Sequence, residues 1–159
     1  MNCKDRAMGY LSRKMRTEKE LFKYLKECGY SLEEISSCVV WLKEEGYIDD
    51  VNYAVEFINY SIEKGRGKGR IAADLKEKGL SSETIEDGYF AYEEQFGAIE
   101  NVEEKLNEMA VYFFKDKDIN EKTKGRFCRK MYRRGFSYNQ IISAINYAEV
   151  TNTKAGDTD

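Results

Sequence analysis

Apolar positions recur along this chain at steps of three and four, the spacing of helices that bury one face. Leu21 and Leu25, Ile71 and Leu75, and Phe127 and Met131 each sit four apart. Ile35, Val39 and Leu42 step by four and three, as do Ile141, Ile145 and Ala148. Further helical runs cover Ala7 to Leu11, Tyr53 to Ile62 and Val102 to Phe114, and no convincing strand pattern interrupts them. The pattern predicts an all-α chain.

The pattern occurs three times. Leu21, Leu25, Gly29, Tyr30, Ser31 and Ile35 match Ile71, Leu75, Gly79, Leu80, Ser81 and Ile85. Both match Phe127, Met131, Gly135, Phe136, Ser137 and Ile141. The glycines lie 50 and 56 residues apart, a repeat of supersecondary size. Glycine just past the last turn closes a helix in the left-handed conformation, and the apolar residue after it folds back over that turn. Serine then caps the next helix. Thr17 with Glu20, Ser31 with Glu34 and Ser137 with Gln140 form capping boxes, whereas Ser81 meets Thr84 and makes a simpler cap. Each repeat therefore reads as three helices. The expected domains are 1–48, 49–96 and 97–150, followed by a flexible polar tail over 151–159. Stacked repeats share apolar faces and give an elongated body that can curve.

Composition narrows the chemistry. Proline and histidine are absent, so Ser-His-Asp or Cys-His catalysis and imidazole zinc sites are excluded. Cys3, Cys28, Cys38 and Cys128 form no Cys-x-x-Cys pair and read as free thiols, the last three as small buried hydrophobes. No signal peptide or stretch of 18 apolar residues occurs, which predicts a cytosolic chain that neither enters nor crosses a membrane. No metal or cofactor is expected, and no nucleophile–base pair supports an enzyme.

Acidic and basic totals, 29 and 26, nearly cancel, but the charges are segregated. Residues 122–134 hold seven cations and no acid, whereas residues 83–108 hold one cation and nine acids. Basic blocks fall on the second helix of each repeat and the loop before it. In a regular stack they form a discontinuous stripe suited to phosphates. The candidate contacts are Arg13, Lys14 and Arg16; Arg66, Lys68 and Arg70; and Lys124, Arg126, Arg129, Lys130, Arg133 and Arg134. Lys122 lies in the same third block. The competing reading pairs the blocks across repeats, a solubility device. The third block resists it, having no local acid.

Gly65-Arg66-Gly67-Lys68-Gly69-Arg70 lacks the phosphate-loop spacing and follows a helix rather than a strand. It reads as a flexible connector, with amides at a helix N-terminus holding one phosphate as the alternative. Asp49 and Asp50 read as turn or cap residues. Tyr60, Tyr132, Phe136 and Tyr138 are candidates for stacking on bases, while most aromatics fill the core and the joints between repeats.

The run Gly46-Tyr47-Ile48-Asp49-Asp50 with Tyr53-Ala54 resembles the junction of the first two repeats of RecX regulatory proteins. So does Lys64-Gly65-Arg66-Gly67 leading to Arg70-Ile71, Leu75 and Lys78-Gly79-Leu80. Ala7, Tyr10-Leu11-Ser12-Arg13 and Arg16-Thr17-Glu18-Lys19-Glu20-Leu21 are similar to the family's first repeat. The resemblance covers about residues 4–150 and is looser in the third repeat. It implies three tandem three-helix repeats and a non-catalytic modulator, usually an inhibitor, of the RecA recombinase, within DNA repair, recombination and the SOS response. It implies binding in the groove of the RecA filament on single-stranded DNA, suppressing ATP hydrolysis, strand exchange and co-protease activity. The acidic balance predicts weak direct binding to DNA, and the chain is expected to act as a monomer. Two other readings stay open: a stand-alone helical DNA-binding regulator, and a repeat scaffold that grips another protein.

Overall fold

The computed structural model describes residues 1–97 and 100–156. Among them are nine α-helices and no strand: α1 (Cys3–Leu11), α2 (Glu18–Glu27), α3 (Leu32–Glu44), α4 (Asp50–Glu63), α5 (Lys68–Glu77), α6 (Ser82–Phe96), α7 (Glu100–Phe114), α8 (Glu121–Arg133) and α9 (Tyr138–Gly156). The chain is an all-α helical repeat.

The repeated glycine turn is a Schellman closure in all three copies. Gly29, Gly79 and Gly135 have φ of 94°, 101° and 97°, which side chains disfavour. The next amide reaches back to the carbonyl five residues earlier: Tyr30 to Leu25 (3.3 Å), Leu80 to Leu75 (3.1 Å) and Phe136 to Met131 (3.2 Å). Leu25, Leu75 and Met131 are buried, so the turn fixes both the helix end and its apolar face. The following serines cap α3, α6 and α9. The boxes at Thr17, Ser31 and Ser137 form in both directions. Ser81 accepts from the Thr84 amide at 3.1 Å. Each cap contributes about 1 kcal/mol.

By contacts the chain forms two compact units. The first comprises Met1–Phe57 and Asp74–Ala91; the second comprises Ile58–Ala73 and the described residues from Tyr92 onward.

In the first unit, Ala7, Leu21, Leu25, Ile35, Val39 and Leu42 from α1, α2 and α3 form the core. Polar ties brace it. The Thr17 hydroxyl donates to the Lys78 carbonyl at 2.8 Å, and the Glu18 amide donates to Asp50 Oδ1 at 3.0 Å. Lys43 Nζ meets Glu18 Oε2 at 2.9 Å. Asp49 caps α4 by accepting from the Asn52 amide at 3.0 Å, so the Asp49-Asp50 pair serves helix starts and junctions. Burial pushes the Asp50 carboxyl above the usual carboxylate range, with Glu18 and Asp49 adding to it; the Glu18 amide and Lys43 oppose the shift.

In the second unit, Leu106, Ala110, Phe114, Phe127, Met131, Ile141 and Ile145 from α7, α8 and α9 make the core. Phe114 and Phe127 are fully buried, with ring centroids 5.3 Å apart.

α9 runs to Gly156, into the segment expected as a flexible polar tail, and the hydroxyls of Thr151 and Thr153 donate to the carbonyls of Tyr147 and Glu149, each at 2.8 Å. No proline or early glycine breaks the helix there, and local hydroxyl bonds accommodate the polar residues. Residues 157–159, the rest of that tail, and Ala98 and Ile99 lie outside the described residues. Of the cysteines, Cys38 is buried, but Cys28 is exposed and Cys128 half-buried. Cys28 is the C-cap of α2, past the last packed turn.

Candidate nucleic-acid interface

The second unit brings two basic segments of distant sequence together. α4 ends in a further glycine closure: Gly65 has φ 75°, its amide donates to Ile62 (2.9 Å), and the Arg66 amide donates to Ser61 (3.0 Å). The chain then runs against the turn after α8. The Gly67 amide donates to the Arg134 carbonyl at 2.6 Å, and the Gly69 amide donates to the Gly135 carbonyl at 3.1 Å. A Cβ on Gly67 would collide with the carbonyl carbon of Gly135, and one on Gly135 would collide with the Arg70 backbone nitrogen. These glycines allow two backbones to touch.

The contact corrects the flexible-connector reading of residues 65–70, because the loop is docked. It also removes the phosphate alternative for the amides of Gly67 and Gly69, which are already spent on carbonyls. Cations beside the contact come from both segments. Lys64 Nζ and the Arg66 guanidinium lie 5.5 and 5.7 Å from the ring centroid of Tyr60. Lys68 and Arg70 are exposed in the first turn of α5.

Along α8, Lys122, Arg126, Arg129, Lys130 and Arg133 step by four, three, one and three, and all are exposed. At 100° per residue they occupy one stripe, opposite buried Phe127 and Met131. Four of the six α8-segment candidates, Arg126, Arg129, Lys130 and Arg133, lie on it. Lys122 joins them, and its helical spacing was the available signal. Tyr132, 74% exposed, sits between stripe residues in sequence.

Two candidates leave the stripe. Lys124 pairs with Glu149 of α9 at 2.9 Å, so the third basic block does have an acid, supplied by tertiary contact. Arg134 turns inward: its Nη1 donates to the carbonyls of Lys64 (3.4 Å) and Gly65 (3.5 Å) and rests 3.7 Å from Met109 Sδ. It joins the two basic segments rather than facing solvent. Phe136 is buried and is no stacking surface, whereas Tyr60 and Tyr138 are exposed.

In the first unit, Arg13 and Lys14 are exposed in the loop before α2. Arg16 is half-buried, 4.3 Å from the centroid of Tyr10, which stacks on Tyr24 at 3.9 Å, and pairs with Glu20 at 3.8 Å. Its charge is held in place by a ring stack.

Among the described residues no group of three or more His, Cys, Asp or Glu could hold a metal, and no helix is long and apolar enough to cross a membrane.

These features define a helical-repeat protein with glycine-closed three-helix modules and a cationic helix face. Residues 3–42 match the family model described as RecX, first three-helix domain, and residues 49–88 match RecX, second three-helix domain. The chain is 34% identical over 148 residues to Regulatory protein RecX of Vibrio vulnificus, covering 92% of each. It is 29% identical to Regulatory protein RecX of Bacillus subtilis, over 93% of this chain but only 55% of that relative. The structure of RecX from Lactobacillus salivarius superposes with a TM-score of 0.83 at 23% identity, covering 93% of this chain and 95% of that one, and so shares the fold. The chain belongs to the RecX family of regulatory proteins.

Proposed function

We propose that this protein binds the RecA filament on single-stranded DNA and inhibits it, lowering ATP hydrolysis, strand exchange and co-protease activity by occupancy rather than by catalysis. The single observation behind this reading is the composite cationic surface of the second unit. There the exposed α8 stripe and the Lys64–Arg70 segment, the loop after α4 with the first turn of α5, are held together by backbone contact at Gly67 and Gly135. A fixed row of guanidinium and ammonium groups suits a phosphate backbone and carries no base-reading geometry of its own. Arg13 and Lys14 provide a second cationic contact in the first unit. The protein acts in the cytoplasm as a monomer and binds free DNA weakly, since its formal net charge is −3.

The test adds the purified protein to RecA on single-stranded DNA and follows ATP hydrolysis, with DNA binding measured in parallel without RecA. Inhibition at protein concentrations that leave bare DNA unbound is expected. Tight, sequence-selective retention of a duplex without RecA would instead favour a stand-alone DNA-binding regulator.

A further inference from the structure

The acidic segment before α8 has no part in the phosphate surface, yet it borders a furrow of the second unit. α7 and α9 pack along each other, and two adjoining hollows of about 300 and 640 Å³ run between them. Asn107 and Tyr147 line both, so the hollows adjoin end to end and mark out a groove along the α7–α9 seam. From Val102 to Tyr112 it follows α7 for about 15 Å, three helical turns.

Its chemistry is two-sided. Tyr112, 82% exposed, and Tyr147, 50% exposed, stand in it with Val111. Large aromatic surface left in water at a concave site marks a binding surface. The α7 rim carries Glu103, Glu104 and Glu108 against one cation, Lys115. No ion pair reaches those three glutamates among the described residues. The α9 wall is uncharged: Ser143, Tyr147 and Thr151 recur every four residues. Glu149 lies off that face and is spent on Lys124. No α8 residue lines the groove.

We propose that this groove docks a Lys/Arg-bearing amphipathic helix of a protein partner. The partner's apolar residues would lie between Tyr112 and Tyr147, and its cations against Glu103, Glu104 and Glu108. A three-turn furrow between two helices fits a helix laid in a groove with anchors three and four apart. The acidic rim excludes nucleic acid and selects for positive charge. The inference rests on the function proposed above and deepens it, because it assigns the contact with RecA protein to α7 and α9 and leaves phosphate contact to α8.

The experiment titrates the full-length protein with RecA assembled on poly(dT), and separately with bare poly(dT). It compares the wild type with Glu104→Lys/Glu108→Lys and with Tyr112→Ser, all at exposed positions, each checked for unchanged helicity and melting. The expected result is about tenfold or greater weakening on the RecA filament, with affinity for bare poly(dT) equal or higher. A benzophenone amino acid at Tyr112 is expected to cross-link to RecA protein. Unchanged filament binding by both variants, with wild-type binding intact, overturns the groove assignment alone. An equal fall in both arms also overturns it. So does self-association of the wild type that the variants abolish without changing filament binding, since the groove would then pair copies of this chain. Failure of the wild type to bind the filament overturns the function and the groove together.

Discussion

Gly67 donates its amide to the carbonyl of Arg134, 67 residues away, at 2.6 Å. That bond places the cationic loop after α4 against the end of the cationic helix α8. It depends on backbones closer than a Cβ permits.

Glycine substitution should therefore separate sharply by position. Gly135→Ala meets a φ of 97° and the Arg70 backbone, and is expected to cost about 2–4 kcal/mol from left-handed strain and overpacking. Gly9 lies inside α1 with open space where a Cβ would stand, so Gly9→Ala should stabilise the protein by about 0.5–1 kcal/mol. Urea melts of the two variants check the pair. Equal effects would refute the close-approach account.

The α8 stripe predicts a division among neighbouring cations. Arg126→Glu with Arg133→Glu should weaken binding to the RecA filament by tenfold or more, on the order of 1–2 kcal/mol, and flatten its salt dependence. Lys124→Gln should change filament binding little, because Glu149 already neutralises that side chain; its stability cost is about 0–1 kcal/mol. Salt titrations of the three proteins decide it.

Packing on the other side of α8 has the opposite profile. Phe127 is fully buried against Phe114 and Phe113, so Phe127→Ala should cost about 3–5 kcal/mol. Tyr132→Ala, one helical face away and 74% exposed, should leave the stability within about 0.5 kcal/mol of the wild type. Thermal melts read both.

Asp50 gives the first unit a pH dependence of definite sign. Its carboxyl is raised by burial, so the folded state holds that proton more tightly than the unfolded chain. The stability it adds is complete below the usual aspartate range of about 4 and is lost as pH rises through the raised folded value. Asp50→Asn retains an oxygen for the Glu18 amide and should flatten this fall. Denaturation midpoints from acid to neutral pH test it, and a slope identical to the wild type would count against it.

Thiol reactivity should follow burial. Cys3 is buried and its pKa is pushed up to about 11, first by burial and then by Cys38, whereas Cys28 is exposed. Alkylation at mildly alkaline pH, read by mass spectrometry, should modify Cys28 well before Cys3. Equal rates would show the first unit opening readily.

The chain's own pattern determined the helices, because their signals are local. Apolar residues four apart, a glycine, an apolar residue and a capping serine recur three times, and each acts within one or two turns. Backbone closure at Gly29, Gly79 and Gly135 and the boxes at Thr17, Ser31 and Ser137 were legible for that reason. The stripe on α8 was half legible: the seven cations of residues 122–134 stand in the sequence, but which of them face water depends on where Phe127 and Met131 point. Tertiary structure decided the rest. It gave Lys124 its acid from α9, turned Arg134 onto carbonyls 69 and 70 residues away, and used the glycines after α4 for contact rather than freedom. Helix periodicity is written residue by residue, whereas the pairing of charges and backbones far apart in the chain arises only when the apolar faces have chosen their neighbours.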